Sequence, residues 1–160
     1  MIKKILPYQE ILLKMEYYCS YQERCEYDIK VKLDSYELTL VEKNKIIQHL
    51  KQNEFLDNQR FANSLVRGKV SLKKDGIQKI KNTLYTKKIA PDIIQQALNS
   101  INTDLYSDNI LHLIAKKYPL LLTKNDKKSS YQKTLQYLIN KGYQYEECKS
   151  NLDNYLKNNS

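Results

Sequence analysis

An all-α fold built as an elongated array of three tandem three-helix repeats is the architecture this sequence predicts, on three observations. Only three glycines and three prolines interrupt its 160 residues. Apolar residues recur at three- and four-residue intervals along nearly the whole chain, which is the helical period. One apolar pattern also returns: Leu84, Ile89, Pro91, Ile94 and Leu98 can be laid over Leu138, Tyr143, Tyr145, Cys148 and Leu152, 54 residues on. A weaker copy starts at Leu33, with Leu38, Leu40 and Ile47 in the matching places. Units of this kind, each a leading helix followed by a helix pair, stack on their neighbours into an extended body. The boundaries read as 1–53, 54–102 and 103–160; one irregular helical bundle is the competing arrangement.

The elements follow in chain order. Ser20 and Glu23 have capping-box spacing, and Tyr21, Cys25, Ile29 and Leu33 recur every four residues, so a helix is expected from about Tyr21 to Tyr36. That reading absorbs Ile29–Leu33, the only stretch that tempts a strand assignment. Thr39 and Glu42 repeat the cap spacing ahead of Val41, Ile46, Ile47 and Leu50. A helix should begin just after Asp57, with Phe61, Ala62 and Leu65 inward and Arg60 and Arg67 free to point outward. From Gly76 to about Lys87 the buried stripe is Ile77, Ile80 and Leu84. Pro91 suits the first turn of a further helix, whose apolar side is Ile93, Ile94, Ala97, Leu98 and Ile101. Helices this short are marginal alone, so tertiary packing must hold them.

The formal charge of +9 is regional. Residues 1–66 carry ten basic and ten acidic groups, whereas 67–88 carry eight basic groups against Asp75 alone. A second cluster, 116–133, has six lysines against Asp126. Such concentration fits a surface that meets a polyanion or an acidic protein. Arg60, Arg67, Lys69, Lys73, Lys74, Lys79, Lys81, Lys87 and Lys88 are the candidate contacts for a partner or nucleic acid. Arg67 stands out because a guanidinium makes directional two-point contacts. Arg60 can serve the outer face, or pair with Asp57 or Glu54 and pin the start of its helix. The fourteen tyrosines do not by themselves decide whether nucleic acid is the partner, since packing explains most of them.

Signals for bond chemistry are sparse. His49 and His112 are far apart, and neither a zinc-protease motif, a phosphate loop nor a nucleophile elbow occurs. His49 is expected at a helix boundary and His112 in partial burial among Ile110, Leu111, Leu113 and Ile114. Cys19, Cys25 and Cys148 form no CxxC pair and read as reduced thiols. No apolar run approaches the roughly 20 residues of a membrane span, and the first residues do not resemble a secretory signal. A non-enzymatic, cytoplasmic protein with no cofactor, no metal and no membrane contact is expected.

At these residues the chain resembles the RecX family of bacterial regulatory proteins. The central match runs through Glu54, Phe55, Leu56, Asp57, Arg60, Phe61, Ala62, Val66, Arg67 and Lys69, then Lys73, Lys74, Gly76, Lys79 and Ile80, then Lys87, Lys88 and Ile89. Residues 18–23 are similar to the family's opening motif, and 138–146 to its last-repeat motif. The resemblance covers about residues 8–156. It departs at Asn53, where many members place glycine, at Asp75 before Gly76, and near Tyr36, where a glycine is often found.

The resemblance implies three tandem three-helix repeats and a non-catalytic role in DNA repair, recombination and the SOS response. Members bind the RecA filament on DNA and generally restrain strand exchange and the coupled ATP hydrolysis. Carried over, it makes Phe55, Leu56, Phe61 and Ala62 core determinants, and Arg67 and the following lysines candidates for contacting the filament or its DNA phosphates. A monomer is expected. A general DNA-binding helical protein, and a helical scaffold for another acidic protein, are the competing functions.

Overall fold

The computed structural model describes residues 2–160. It is all-α: α1 (Tyr8–Tyr21), α2 (Glu26–Leu33), α3 (Leu40–Gln52), α4 (Asn58–Ser71), α5 (Ile77–Thr86), α6 (Pro91–Asn99), α7 (Thr103–Leu122), α8 (Lys127–Asn140) and α9 (Tyr145–Asn158). The only β pairing among the described residues is an isolated parallel bridge between Lys4 and Tyr36. Two compact units form, Met1–Ser64 with Leu84–Gln95, and Leu65–Thr83 with Gln96–Ser160. The boundary therefore falls inside α4, α5 and α6.

In the first unit, Ile11, Met15 and Cys19 of α1 meet Ile29 and Leu33 of α2 and Ile46, Ile47 and Leu50 of α3, with Leu56 closing the cluster. The predicted cap at Thr39 is present: its hydroxyl accepts from the Glu42 amide at 3.2 Å while the Glu42 carboxylate accepts from the Thr39 amide at 2.8 Å. The predicted helix from Tyr21 to Tyr36 is not. Only its first residue, Tyr21, belongs to α1, and extended backbone at Gln22 (φ −160°) and Cys25 (φ −99°) separates the two helices. The reason lies in where the capping groups go. Ser20 Oγ donates back to the Glu16 carbonyl at 2.9 Å, and the Glu23 carboxylate is held by Arg60 at 2.7 Å. The start of α2 is satisfied instead by Asp28, which accepts from the Cys25 amide, and by Asn58, which accepts from the Glu26 amide at 2.9 Å. Cys25, Ile29 and Leu33 are buried as expected, but Tyr21 is 74% exposed.

Three helix ends share one turn. After α3, α5 and α8, residues Glu54 (φ 60°), Lys88 (φ 57°) and Gly142 (φ 101°) take the left-handed conformation. In each case the next amide reaches back to the carbonyl five residues earlier: Phe55 to Leu50 at 2.8 Å, Ile89 to Leu84 at 3.2 Å, Tyr143 to Leu138 at 3.2 Å. This is the Schellman arrangement, in which the residue after the turn also packs on the helix it has left. The 54-residue pattern is thereby explained, since Leu84 with Ile89 and Leu138 with Tyr143 are its two apolar contacts. Glu54 is an exposed non-glycine residue there, so Glu54→Gly is expected to raise stability by about 1 kcal/mol, the left-handed penalty being offset in part by glycine's looser unfolded chain. Thermal unfolding checks this: a midpoint at or below the wild-type value would contradict it.

The second unit is built on α7, α8 and α9. Tyr106, Ile110, Leu113, Ile114 and Tyr118 of α7 are buried with Leu138, Tyr143, Cys148 and Leu152. Asn109 is buried too, and its amide donates to the Val70 carbonyl at 2.9 Å. His112, expected in partial burial, is exposed, because the buried stripe of α7 passes through positions 110, 113 and 114 on the other side. All three cysteines are free and buried. Burial pushes each thiol up to about 11, so thiolate chemistry is disfavoured near neutrality. No helix among the described residues is long and apolar enough to cross a membrane.

Candidate functional site

The basic segment is organised in the second unit by its single acid. Asp75 lies in the loop between α4 and α5 and is only 2% exposed. Its carboxylate meets Lys79 Nζ at 3.1 Å, Lys141 Nζ at 3.2 Å and Lys69 Nζ at 3.7 Å. Burial alone would raise this carboxyl, but hydrogen bonds from Lys79 and Lys141 and their charges outweigh it and hold the group below its ordinary value. Asp75 therefore stays ionised and fixes three lysines that local helix physics would leave waving in water.

The loop carrying it is anchored residue by residue. Asp75 N–H donates to the Lys69 carbonyl at 3.0 Å, and the Tyr143 hydroxyl donates to the Lys74 carbonyl at 2.8 Å. Lys141 Nζ also donates to the Lys73 carbonyl. Gly76 N–H donates to the Lys141 carbonyl at 2.7 Å, and Gln78 N–H to the Gly142 carbonyl at 3.0 Å. The start of α5 is completed by the Tyr106 hydroxyl, which accepts from the Ile77 amide at 3.0 Å. Tyr106 and Tyr143 lie against each other with ring centroids 5.2 Å apart. The two glycine-bearing stretches singled out in the sequence, 73–80 and 138–146, thus form one structure.

Around this anchor, Arg67 and Lys73 are exposed and Lys74 and Lys81 half-buried. None of these four side chains has an ion-pair partner among the described residues. They are the free cations of the 67–81 stretch, while Lys69 and Lys79 each hold part of Asp75. The remaining candidates belong to the first unit. Arg60 pins the start of α4 from within, donating through Nε to Glu23 at 2.7 Å and through Nη2 to the Glu54 carbonyl at 2.9 Å. Of the two partners expected from sequence, Glu54 is met through its backbone carbonyl and Asp57 accepts from the Arg60 backbone amide at 3.0 Å. Lys87 Nζ donates to Asp28 at 2.6 Å, a bond that raises the Lys87 pKa. Lys88 is exposed at its left-handed turn.

Two members of this site escaped the sequence reading. Lys141 lies 68 residues from the Lys73 carbonyl it caps, in a stretch of zero net charge. Asp75 was visible only as the exception in a basic run. Of the second lysine cluster, Lys117 Nζ lies 4.8 Å from the Tyr137 ring centroid and Lys133 donates to Asn125. No group of three or more His, Cys, Asp or Glu placed to hold a metal ion occurs among the described residues. What the arrangement offers chemically is fixed positive charge with directional donors, suited to phosphate or carboxylate oxygens.

A sequence-family profile described as the second three-helix domain of RecX matches residues 57–98. The chain is 32% identical over 138 residues to regulatory protein RecX of Clostridioides difficile, spanning 86% of this chain and 64% of that one. It is 33% identical over 135 residues to regulatory protein RecX of Clostridium tetani, spanning 84% and 60%. The chain thus spans less than two thirds of the length of these curated relatives. The crystal structure of RecX from Lactobacillus salivarius superposes with a TM-score of 0.81 at 22% identity, over 92% of this chain and 96% of that one, a likeness of fold.

Proposed function

This chain belongs to the RecX family, and on that premise we propose that it is a non-enzymatic regulator of the RecA recombinase that binds the RecA–DNA filament and restrains strand exchange and coupled ATP hydrolysis. The observation that supports this most is the anchored basic loop around Asp75. Its free cations, Arg67, Lys73, Lys74 and Lys81, have no ion pair to give up, so a polyanion can engage them without breaking an internal contact. The helices group in the proposal as three repeats, 1–53, 54–102 and 103–160, with the loop in the middle one. Lys69 and Lys79 act through position as much as charge, and Arg60 and Lys87 contribute chiefly by holding the helices that carry their neighbours. The protein works in the cytoplasm, as a monomer on the filament.

The test is DNA-dependent ATP hydrolysis by the cognate recombinase, with wild-type protein and with Arg67→Ala, Lys73→Ala and Lys74→Ala combined. Removing three phosphate-facing cations is expected to weaken inhibition by at least about tenfold and to flatten its salt dependence. Equal inhibition by both proteins would remove the basic loop from the interface. Strong wild-type binding to naked duplex without the recombinase would favour the general DNA-binding reading instead.

A further inference from the structure

The first unit carries an aromatic surface that the proposed role does not use. Along α1 and α2 an open groove of about 670 Å³ is lined by Leu13, Lys14, Tyr17, Tyr18, Tyr21 and Lys32 among others. A recess of about 300 Å³ shares Tyr18 and Lys32 with it and adds Tyr27 and Lys87. Tyr17 and Tyr21, one helical turn apart, are each 74% exposed. No hydrogen bond among the described residues engages the hydroxyl of either one. Tyr18 lies between cations, with the Arg24 guanidinium 3.8 Å and Lys32 Nζ 5.4 Å from its ring centroid.

Large rings left open to water at this density are costly unless something covers them. The charges say what. Lys14, Arg24, Lys32 and Lys87 face the surface against two carboxylates, Glu10 and Asp28, and each of those already has a lysine partner, Lys14 at 3.8 Å and Lys87 at 2.6 Å. Flat π faces interleaved with cations match a ligand that alternates flat bases with phosphates. An apolar partner helix would have to bury the Lys32 ammonium, which has no carboxylate partner among the described residues. A duplex keeps its bases stacked inside and presents no faces to Tyr17 or Tyr21.

We infer that the α1–α2 groove is a binding site for single-stranded nucleic acid, with Tyr17 and Tyr21 as stacking platforms and Lys14 and Lys32 as phosphate contacts. This site is separate from the Asp75 loop and needs no recombinase.

Fluorescence anisotropy of a labelled oligothymidylate with the protein alone tests it. Tyr17→Ala combined with Tyr21→Ala is expected to weaken binding at least about tenfold, since base stacking on an aromatic ring is sequence-tolerant and strong. The two rings are exposed, so thermal unfolding of this variant should match wild type; Tyr17→Phe with Tyr21→Phe keeps the rings and should retain binding. An abasic strand of equal length should bind as weakly as the alanine variant. The inference is overturned if the alanine variant binds oligothymidylate as wild type does, or if the abasic strand or a duplex binds equally well. It is likewise overturned if the wild type elutes as a dimer that the alanine variant does not form, which would assign the groove to a second copy. Because the assay contains no recombinase, failure here leaves the ATP-hydrolysis test, and its Arg67, Lys73 and Lys74 variants, untouched.

Discussion

Gly76→Ala is expected to destabilise the protein by ~4 kcal/mol, enough to lower the unfolding midpoint by roughly 10 °C. A Cβ at Gly76 would stand 2.2 Å from the Gly142 carbonyl carbon and 2.4 Å from the Tyr143 nitrogen, both backbone atoms that have no rotamer to retreat into. Moving the strands of chain apart would break the bonds from Gly76 N–H to Lys141 and from Gln78 N–H to Gly142, at 2.7 and 3.0 Å. Gly142 cannot give way freely either, since it already holds φ 101°. Gly68→Ala is the matched control. It lies inside α4 with nothing within 4 Å of its ideal Cβ, so the same chemical change should stabilise by about 0.5–1 kcal/mol through helix propensity. Circular dichroism melts of both variants decide the matter; equal midpoints would show that the contact between the two turns does not bear on stability.

Asp75→Asn is expected to cost about 2 kcal/mol at neutral pH. Removing one partner of a fully buried ion pair typically costs about 3–5 kcal/mol, but the three lysines retain access to water, which screens the loss. Their side chains are 33%, 47% and 20% exposed for Lys69, Lys79 and Lys141. The pH dependence separates charge from shape. The folded carboxyl titrates below its ordinary value of 3.8, so the unfolded chain takes up the proton first. The wild-type advantage over Asp75→Asn is therefore complete above about pH 4 and disappears as pH falls through the lower folded value. Urea unfolding of both proteins from neutral pH down to about pH 2 measures it. A difference in stability that stays constant across that range would mean the three ion pairs contribute nothing.

Local physics made much of the fold legible. The Thr39–Glu42 cap, the proline at the start of α6 and the apolar stripes of α4 and α5 depend on neighbours within about four residues, and those residues stand together in the sequence. The 54-residue pattern had the same origin, because a Schellman turn needs only one left-handed residue and two apolar ones at fixed spacing. The error at Tyr21–Tyr36 shows the limit. Ser20 and Glu23 had the right spacing for a cap, but Arg60, 37 residues away, takes the Glu23 carboxylate.

The candidate site divides along the same line. That residues 67–88 are strongly basic was there to be counted. Which of those charges are free was not, since it depends on Asp75, on Lys141 arriving with the turn after α8, and on Asp28 meeting Lys87 across 59 residues. By itself the sequence determined the helical character of the chain, the starts of α3, α4 and α6 and the sign of the surface, because capping, periodicity and net charge are local or additive. Only the tertiary structure decided which lysines are held, which are open and which tyrosines face water, because ion pairing and burial belong to groups that the chain keeps far apart until it folds.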